Sequence, residues 1–344
     1  MQEATFTPIS EIGEFGLIAR LRNLLGTPPA SVKEGIGDDC AVYEVGNGKL
    51  HVVTSDMLVE NVHFDRTFHP LRYLGFKAIS VNASDVCAMN ATPRYATVSV
   101  GVPHNMSIEM MEELYQGMAH ACKLYGMHLI GGDTTASRQL VLSVTAIGET
   151  TEQEVVYRKG AQVGDLICVT GDLGAAYAGL KILLDEKTRF QSGSSEGYGL
   201  NLTPFDYVIQ RSLSPTARLD MVRNWRETGV RPTSAIDISD GLASEIHHIC
   251  NRSNKGATIE VAKIPIELLT REVAEQFEED PETFALFGGD DYELLFTVSP
   301  QEAILLEESL FHVIGTITEP EDGVHLLLQD GGTMPLEAEG FTHF

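Results

Sequence analysis

The stretch AIDISDGLASEIHHIC (residues 235–250) carries the reading of this chain. Ile236 and Ile238 point a short strand into a core, and Leu242, Ile246 and Ile249 form the apolar stripe of a helix that follows. Between the two isoleucines stands Asp237. In a strand Ala235, Asp237 and Ser239 share one face, and the isoleucines share the other. Ser239 or Asp240 has the chemistry to cap the helix. Capping accounts for one acid but leaves Asp237, a carboxylate in an apolar strand that needs a positive partner.

Four other places repeat the theme. GIGDDCAV (35–42) sets Asp38 and Asp39 between two glycines and a strand, although Gly-Asp pairs also make plain turns. VVTSDMLVENVHFD (52–65) ends a strand in Thr54, Ser55 and Asp56, an all-oxygen run suited to a hard cation such as Mg²⁺. His63 follows, with a structural role open to it as well. KAISVNASDVCAMNATP (77–93) reads as a helix that aligns Lys77, Val81 and Asp85 on one side. Asp85 there is either a structural hydrogen-bonder or a ligand. LIGGDTTAS (129–137) places Gly131 and Gly132 before Asp133, either as a close approach to phosphate or as a loop between strands. LFGGDDYELLFTV (286–298) is related. Acids gathered in this way repel one another and require cations, and bound cations in turn suggest a phosphate-bearing substrate.

Composition sets the outer limits. The chain has 344 residues, 43% hydrophobic, enough for two domains. Its 49 acidic against 24 basic residues give a formal net charge of −25, which argues against nucleic acid or an anionic membrane as partner. Five scattered cysteines without a CxxC read as buried thiols in a reducing compartment. No apolar run approaches the ~18 residues of a membrane span, and the first residues lack a signal peptide's basic start. A cytoplasmic protein is expected.

Strands and helices mix throughout. Strands are expected over 50–55, 96–102, 140–148 and 166–170, then over 257–261, 293–298, 312–317 and 324–328. Helices are expected over 72–90 and 108–125, from about 174, and over 215–228. Residues 186–201 (EKTRFQSGSSEGYGLN) read as an aperiodic loop. The polar run after Gly148 suggests two α/β domains, 1–150 and 151–344. No GxxxxGK[ST] loop is present. Instead RKGAQVGDLICVTGDLGAAYAGL (158–180) offers Arg158 and a glycine turn opening a helix, whose free N–H groups suit an anion, although helix packing explains such a turn equally well.

Taken in order, GIGDDCAV, SDMLVENVHF, KAISVNASDVCAMNATP, LIGGDTT, RKGAQVGD, AIDISDGL and GGDDYELLFTV resemble the thiamine-monophosphate kinases, within the aminoimidazole ribonucleotide synthetase-like superfamily. The resemblance runs from GEFGLIARL (13–21) to GFTHF (340–344). It implies a two-domain α/β fold of that superfamily, with N-terminal domains pairing in a homodimer and nucleotide lying between domains. It implies Mg²⁺-dependent transfer of phosphate from ATP to thiamine monophosphate. Asp39, Thr54, Ser55, Asp56, Asp85, Asp133, Asp237 and Asp240 match metal-binding positions, and Asp85, Asp237 and Asp240 are implied to carry catalysis. Gly132, Asp133, Arg158, Ser239 and Tyr115 match ATP contacts; His63, Asp290 and Phe341 match contacts to the thiamine phosphate. The family usually has GGEDYEL, so Asp290 reaches about one methylene less than the usual glutamate. Another ATP-dependent synthetase of the superfamily and a non-catalytic nucleotide- or metal-binding protein are the alternatives that the sequence leaves open.

Overall fold

Alternation in one long strand decides how the first sheet is covered. In β3 (Lys49–Val59) Leu50, Val52, Thr54 and Leu58 are buried, while Ser55 and Met57 are exposed. One face therefore packs on helices and the other lies open. The computed structural model describes residues 7–192 and 202–338. In it β1 (Val32–Glu34), β2 (Ala41–Gly46), β3, β4 (Thr92–Pro103), β5 (His128–Ser137) and β6 (Val141–Thr151) form a sheet in the order β1-β2-β3-β6-β4-β5. All neighbours are antiparallel except β4 and β5, which helix α3 (Ile108–Tyr125) connects. Ser107 caps α3, its Oγ accepting from Met110 N at 3.3 Å, and Gly126 ends the helix in the left-handed region. Preceding these, α1 (Gly13–Leu24) leads into β1.

Helix α2 (Leu71–Ala88) lies between the two halves of the molecule. Residues on all its sides are buried, which suits its run of small and apolar side chains. It packs on α3 through two glycines. A Cβ on Gly75 would stand 1.9 Å from Leu114 O, and one on Gly117 would stand 1.9 Å from Arg72 O. Backbone thus meets backbone, and this contact fixes the height of α2 above the sheet.

The second sheet runs β13-β12-β9-β11-β7-β10-β8. Its members are β7 (Leu166–Thr170), β8 (Ser234–Asp237), β9 (Gly256–Glu260), β10 (Leu294–Val298), β11 (Phe311–Thr318), β12 (Val324–Leu327) and β13 (Thr333–Pro335). Helices α4 (Ala175–Gln191), α5 (Asp206–Leu213), α6 (Leu219–Thr228), α7 (Leu242–Ser253), α8 (Leu268–Gln276) and α9 (Pro281–Phe287) surround it. One apolar core runs from the first sheet and α2 through Trp225 of α6 to Phe296 of β10, whose rings meet edge-on at 5.3 Å. A second core, containing Ile236, Ile238, Ile246 and Ile249, fills the other face of the second sheet. Ala235 belongs to the first core. The register expected around Asp237 therefore holds: the isoleucines face one core, and the aspartate faces α2.

Three local expectations are corrected. The helix expected from about Gly174 runs on to Gln191, because its apolar residues Ile182 and Leu183 still reach a core; residues 193–201 lie outside the described residues. Residues 131–134 do not form a loop: β5 passes straight through Gly131, Gly132, Asp133 and Thr134, paired with β4 from Thr97 to Val100. Helix α7 carries no side-chain N-cap from Ser239 or Asp240; Gly241 (φ 118°) precedes it, and Glu245 reaches back to both of their amides.

Gly117→Ala weighs two effects against each other. Alanine favours a helix by about 1 kcal/mol over glycine, whereas a methyl forced against the Arg72 carbonyl costs about 1–3 kcal/mol as overpacking, and more where the backbone cannot yield. At 1.9 Å the contact should win. Urea denaturation is expected to show net destabilisation of about 1–2 kcal/mol; a gain in stability would contradict the close helix contact.

Candidate active site

Five aspartates converge where the two halves meet. Asp38 and Asp39 end the loop before β2, Asp56 comes from β3, Asp85 from the last turns of α2, and Asp237 from the end of β8. One carboxylate oxygen from each of Asp39, Asp85 and Asp237 lies within 4.8 Å of the other two. Thr54 Oγ1 donates to Asp85 Oδ2 at 2.5 Å, and Asn82 Oδ1 accepts from Asp56 N at 3.2 Å. The inward pleat of β3 and the α2 spacing that brings Asp85 beneath it thus build one site.

Arg158 is the cation at the heart of this group, and Arg252 Nη2 stands 4.0 Å from Asp38 Oδ2 at its edge. Arg158 Nε donates to Asp39 Oδ1 at 2.9 Å, with Nη2 on the same oxygen, and its backbone N donates to Asp38 Oδ1 at 3.2 Å. Asp39 Oδ2 is buried and accepts no hydrogen bond. Two arginines, one of them at the edge, do not balance five carboxylates. Burial first, and Asp39 second, push Asp237 up to about 8 and Asp56 up to about 6. Burial and the same neighbour raise Asp38 to about 7. Asp85 lies well above the usual carboxylate range through burial and the charges of Asp56 and Asp237. An all-oxygen set with one buried oxygen unclaimed is the donor chemistry of a hard divalent cation.

Behind this centre Glu245 Oε1 accepts from Asp240 N at 2.8 Å and Ser239 N at 3.2 Å, fixing the turn after β8. The loop 288–293 is stitched to that turn: Asp290 N donates to Ser239 O at 2.7 Å, and Tyr292 N donates to Ile238 O at 2.8 Å. Asp290 accepts from Lys77 Nζ at 2.8 Å and from Tyr292 Oη at 2.9 Å. Burial would raise its carboxyl, but the Lys77 ammonium holds it below the usual range. His63 stands near Asp290, its Nδ1 accepting from Val59 N at 3.0 Å. Phe341 lies outside the described residues.

The remaining sequence candidates fall elsewhere. Ser55 lies on the open face of the sheet, where its Oγ donates to Val144 O at 3.2 Å. Asp133 pairs with Ser99 on that face too, three strands from β3, or about 14 Å at the usual ~4.8 Å strand spacing. With Tyr115 and Gly132 it lines a cleft of about 430 Å³. The structure thus splits the candidates into a buried centre and a separate cleft at the β5 edge. The anion site expected at the start of α4 is already filled: Asp291 Oδ2 accepts from Gly174 N at 2.8 Å. Asp291 went unread because its partner lies 117 residues away, and a glycine turn gives no sign of an internal carboxylate. Glu245 was missed as well, although a glutamate in the first turn of a helix behind two acidic-loop amides is a readable signal.

Residues 37–150 match the AIR synthase related protein, N-terminal domain, and residues 162–327 match its C-terminal domain. The chain is 36% identical over 323 residues to the thiamine-monophosphate kinase of Bacillus subtilis (strain 168), covering 92% of this chain and 94% of that one. The chain belongs to the thiamine-monophosphate kinase family. It is also 37% identical over 290 residues to the thiamine-monophosphate kinase of Aquifex aeolicus (strain VF5), covering 84% and 87%. The solved structure of AaThiL complexed with AMPPCP and TMP superimposes with a TM-score of 0.85 at 34% identity, over 99% of this chain and 100% of that one. The two-domain superfamily fold expected from the motifs is the fold observed.

Without metal, the raised Asp237 makes folding take up a proton. Its contribution to stability is fully present below the ordinary aspartate value of 3.8 and is lost as pH rises through about 8. In EDTA the melting temperature of Asp237→Asn should therefore gain on wild type as pH rises across that window. Parallel melting curves would remove the buried-charge account.

Proposed function

We infer that the chain is an ATP-dependent kinase that phosphorylates thiamine monophosphate to thiamine diphosphate. The observation that carries this is the buried Asp39–Asp85–Asp237 group, set in a chain alike end to end to thiamine-monophosphate kinases. Both reactants are anionic, so a site of five carboxylates suits them only with cations present. We assign Mg²⁺ to Asp39, Asp56, Asp85 and Asp237, with Thr54 and Asp240 beside them; bound there, it would neutralise phosphate oxygens and carboxylates together. Ser55 and Asp133 join such a set only if a second surface contributes.

In the reaction an oxygen of the acceptor phosphate forms a bond to the γ-phosphorus of ATP. The bond from that phosphorus to the β–γ bridging oxygen breaks, and ADP leaves with the electron pair. The acceptor phosphate is already ionised at neutral pH, so no base is required, and catalysis rests on positioning and charge. Arg158 is placed to exchange its Asp39 contact for a phosphate oxygen, and Glu245 holds the Ser239–Asp240 turn still. We place thiamine monophosphate against His63 and Asp290, with Phe341 as a further contact, and ATP against Tyr115, Gly132, Asp133, Arg158 and Ser239.

A homodimer supports the same reading. The open face of the first sheet exposes Met57 and Tyr95, and Ile130 stands exposed on β5. A second copy laid on that face would cover them and bring an Asp133 cleft to a neighbouring aspartate centre. Residues 1–150 then serve as the ATP, Mg²⁺ and dimerisation domain, and 151–344 complete the site. No described helix is long and apolar enough to cross a membrane. The five free, buried cysteines suit a cytoplasmic location.

Asp237→Asn keeps the size of the side chain and removes its charge. Thiamine diphosphate formation from MgATP and thiamine monophosphate is expected to fall about a hundredfold or more, with the circular dichroism spectrum unchanged. Turnover at the wild-type rate would exclude Asp237 from the centre.

A further inference from the structure

Lys77 is a lysine buried in the middle of a helix, 3% exposed, whose ammonium must be matched. Its Nζ donates to Asp290 Oδ2 at 2.8 Å and, more weakly, to Ser212 O at 3.4 Å. Asp290 lies 213 residues further on and comes from the opposite half of the molecule. The loop that carries it is held in an unusual shape: Gly289, Asp290 and Tyr292 have φ of 69°, 62° and 53°, left-handed values that cost energy at the two residues with side chains. Such a shape persists where its surroundings fix it. Here the fixing groups are the Lys77 ammonium on one carboxylate oxygen, Tyr292 Oη on the other, and the backbone bond to Ser239 O. Both oxygens are gripped from the protein side, and although the carboxyl sits deep enough to be partly desolvated, 40% of the Asp290 side chain stays exposed. An anion held on one flank and open on the other has a defined direction for a ligand.

We propose that Lys77 is the positioning residue of the acceptor site, orienting Asp290 so that its open flank meets the cationic thiazolium ring of thiamine monophosphate. This rests on the kinase function inferred above. Aspartate has only two side-chain torsions, so a grip on both oxygens fixes its direction almost completely. The side chain of Asp290 in GGDDYEL then meets the ligand from a set position. A bridge that served only to join the two halves would act on stability and affect both substrates alike. A positioning bridge acts on the thiazolium-bearing substrate and spares ATP.

The test is steady-state kinetics on the full-length protein, wild type against Lys77→Met, Asp290→Asn and the double variant. Lys77→Gln, which keeps a donor and a polar stem, is measured if the methionine variant does not fold. Each single substitution should raise the KM for thiamine monophosphate about tenfold or more, as loss of a charge-assisted contact does. The KM for ATP should stay within about twofold, and kcat should change less than the acceptor KM. The double variant should be no worse than the poorer single one, since both substitutions remove one unit. An unchanged acceptor KM in a folded Lys77 variant overturns the proposal, as does an equal rise in both KM values. Wild-type protein that forms no thiamine diphosphate overturns the function itself, a failure visible before any variant is compared.

Discussion

Repulsion among Asp38, Asp39, Asp56, Asp85 and Asp237 is the constraint on which the arrangement turns. Carboxylates from the pre-β2 loop, β3, α2 and β8 meet in a desolvated space with Arg158 as the cation among them. At such separations like charges in a protein interior oppose one another by several kcal/mol. The chain does not relieve this by spreading the acids apart. It holds them in place with rigid parts: the eleven-residue β3–β6 ladder, and α2 locked to α3 at Gly75 and Gly117. Packing energy distributed through the shared core around Trp225 offsets the local electrostatic cost. The result is a site whose carboxyls hold protons above their usual range, protons that a bound cation would replace.

The same logic explains the crowding of charge in the loop 288–293. Asp291 is fully buried and takes the N–H of Gly174 at the start of α4. Glu293 accepts from Thr170 Oγ1 at 2.6 Å, Arg211 Nη1 at 2.8 Å and Arg218 Nη1 at 2.7 Å. These bonds leave no carboxylate idle on either side of Asp290, so the loop keeps its left-handed turns with the Asp290 side chain facing outward. Three acids in six residues thus have three different tasks: one satisfies a helix end, one locks two arginines, and one faces the site. A helix N-terminus filled by an internal carboxylate is closed to phosphate, which agrees with the proposed placement of ATP at the aspartate centre and the Tyr115 cleft.

Periodicity revealed most of the scaffold because each element carries its own pattern. The alternation in β6 and the 3.6-residue spacing of α3 are local facts, and their boundaries agree with the expected spans to within a few residues. Asp237 was legible for the same reason: its place between two isoleucines assigns its face before any partner is known. What stayed hidden depends on residues distant in sequence. Nothing near Lys77 announces Asp290, and nothing near Gly174 announces Asp291. The Gly-Gly step at 131–132 left a loop open as one of two readings because glycine marks loops by default. Here it lies within a strand, and Gly132 admits close approach of β4, since a Cβ there would stand 1.9 Å from Val98 O. Motif order, by contrast, carried the family through seven short stretches, each too weak alone.

The separation of Ser55 and Asp133 from the buried centre has a simple origin in strand pleating. Consecutive residues of β3 point to opposite faces, so Thr54 and Asp56 enter the centre only by sending Ser55 to the open side. If Thr54, Ser55 and Asp56 all serve phosphate and metal, the sheet must be used from both faces. One chain covers one of those faces with α2 and α3; the other exposes Met57, Tyr95 and the β5 edge. A role for Ser55 in ligand binding would need a further layer on the open face. The proposed homodimer would supply that layer, with a second copy of the chain laid over Ser55, Met57 and Tyr95.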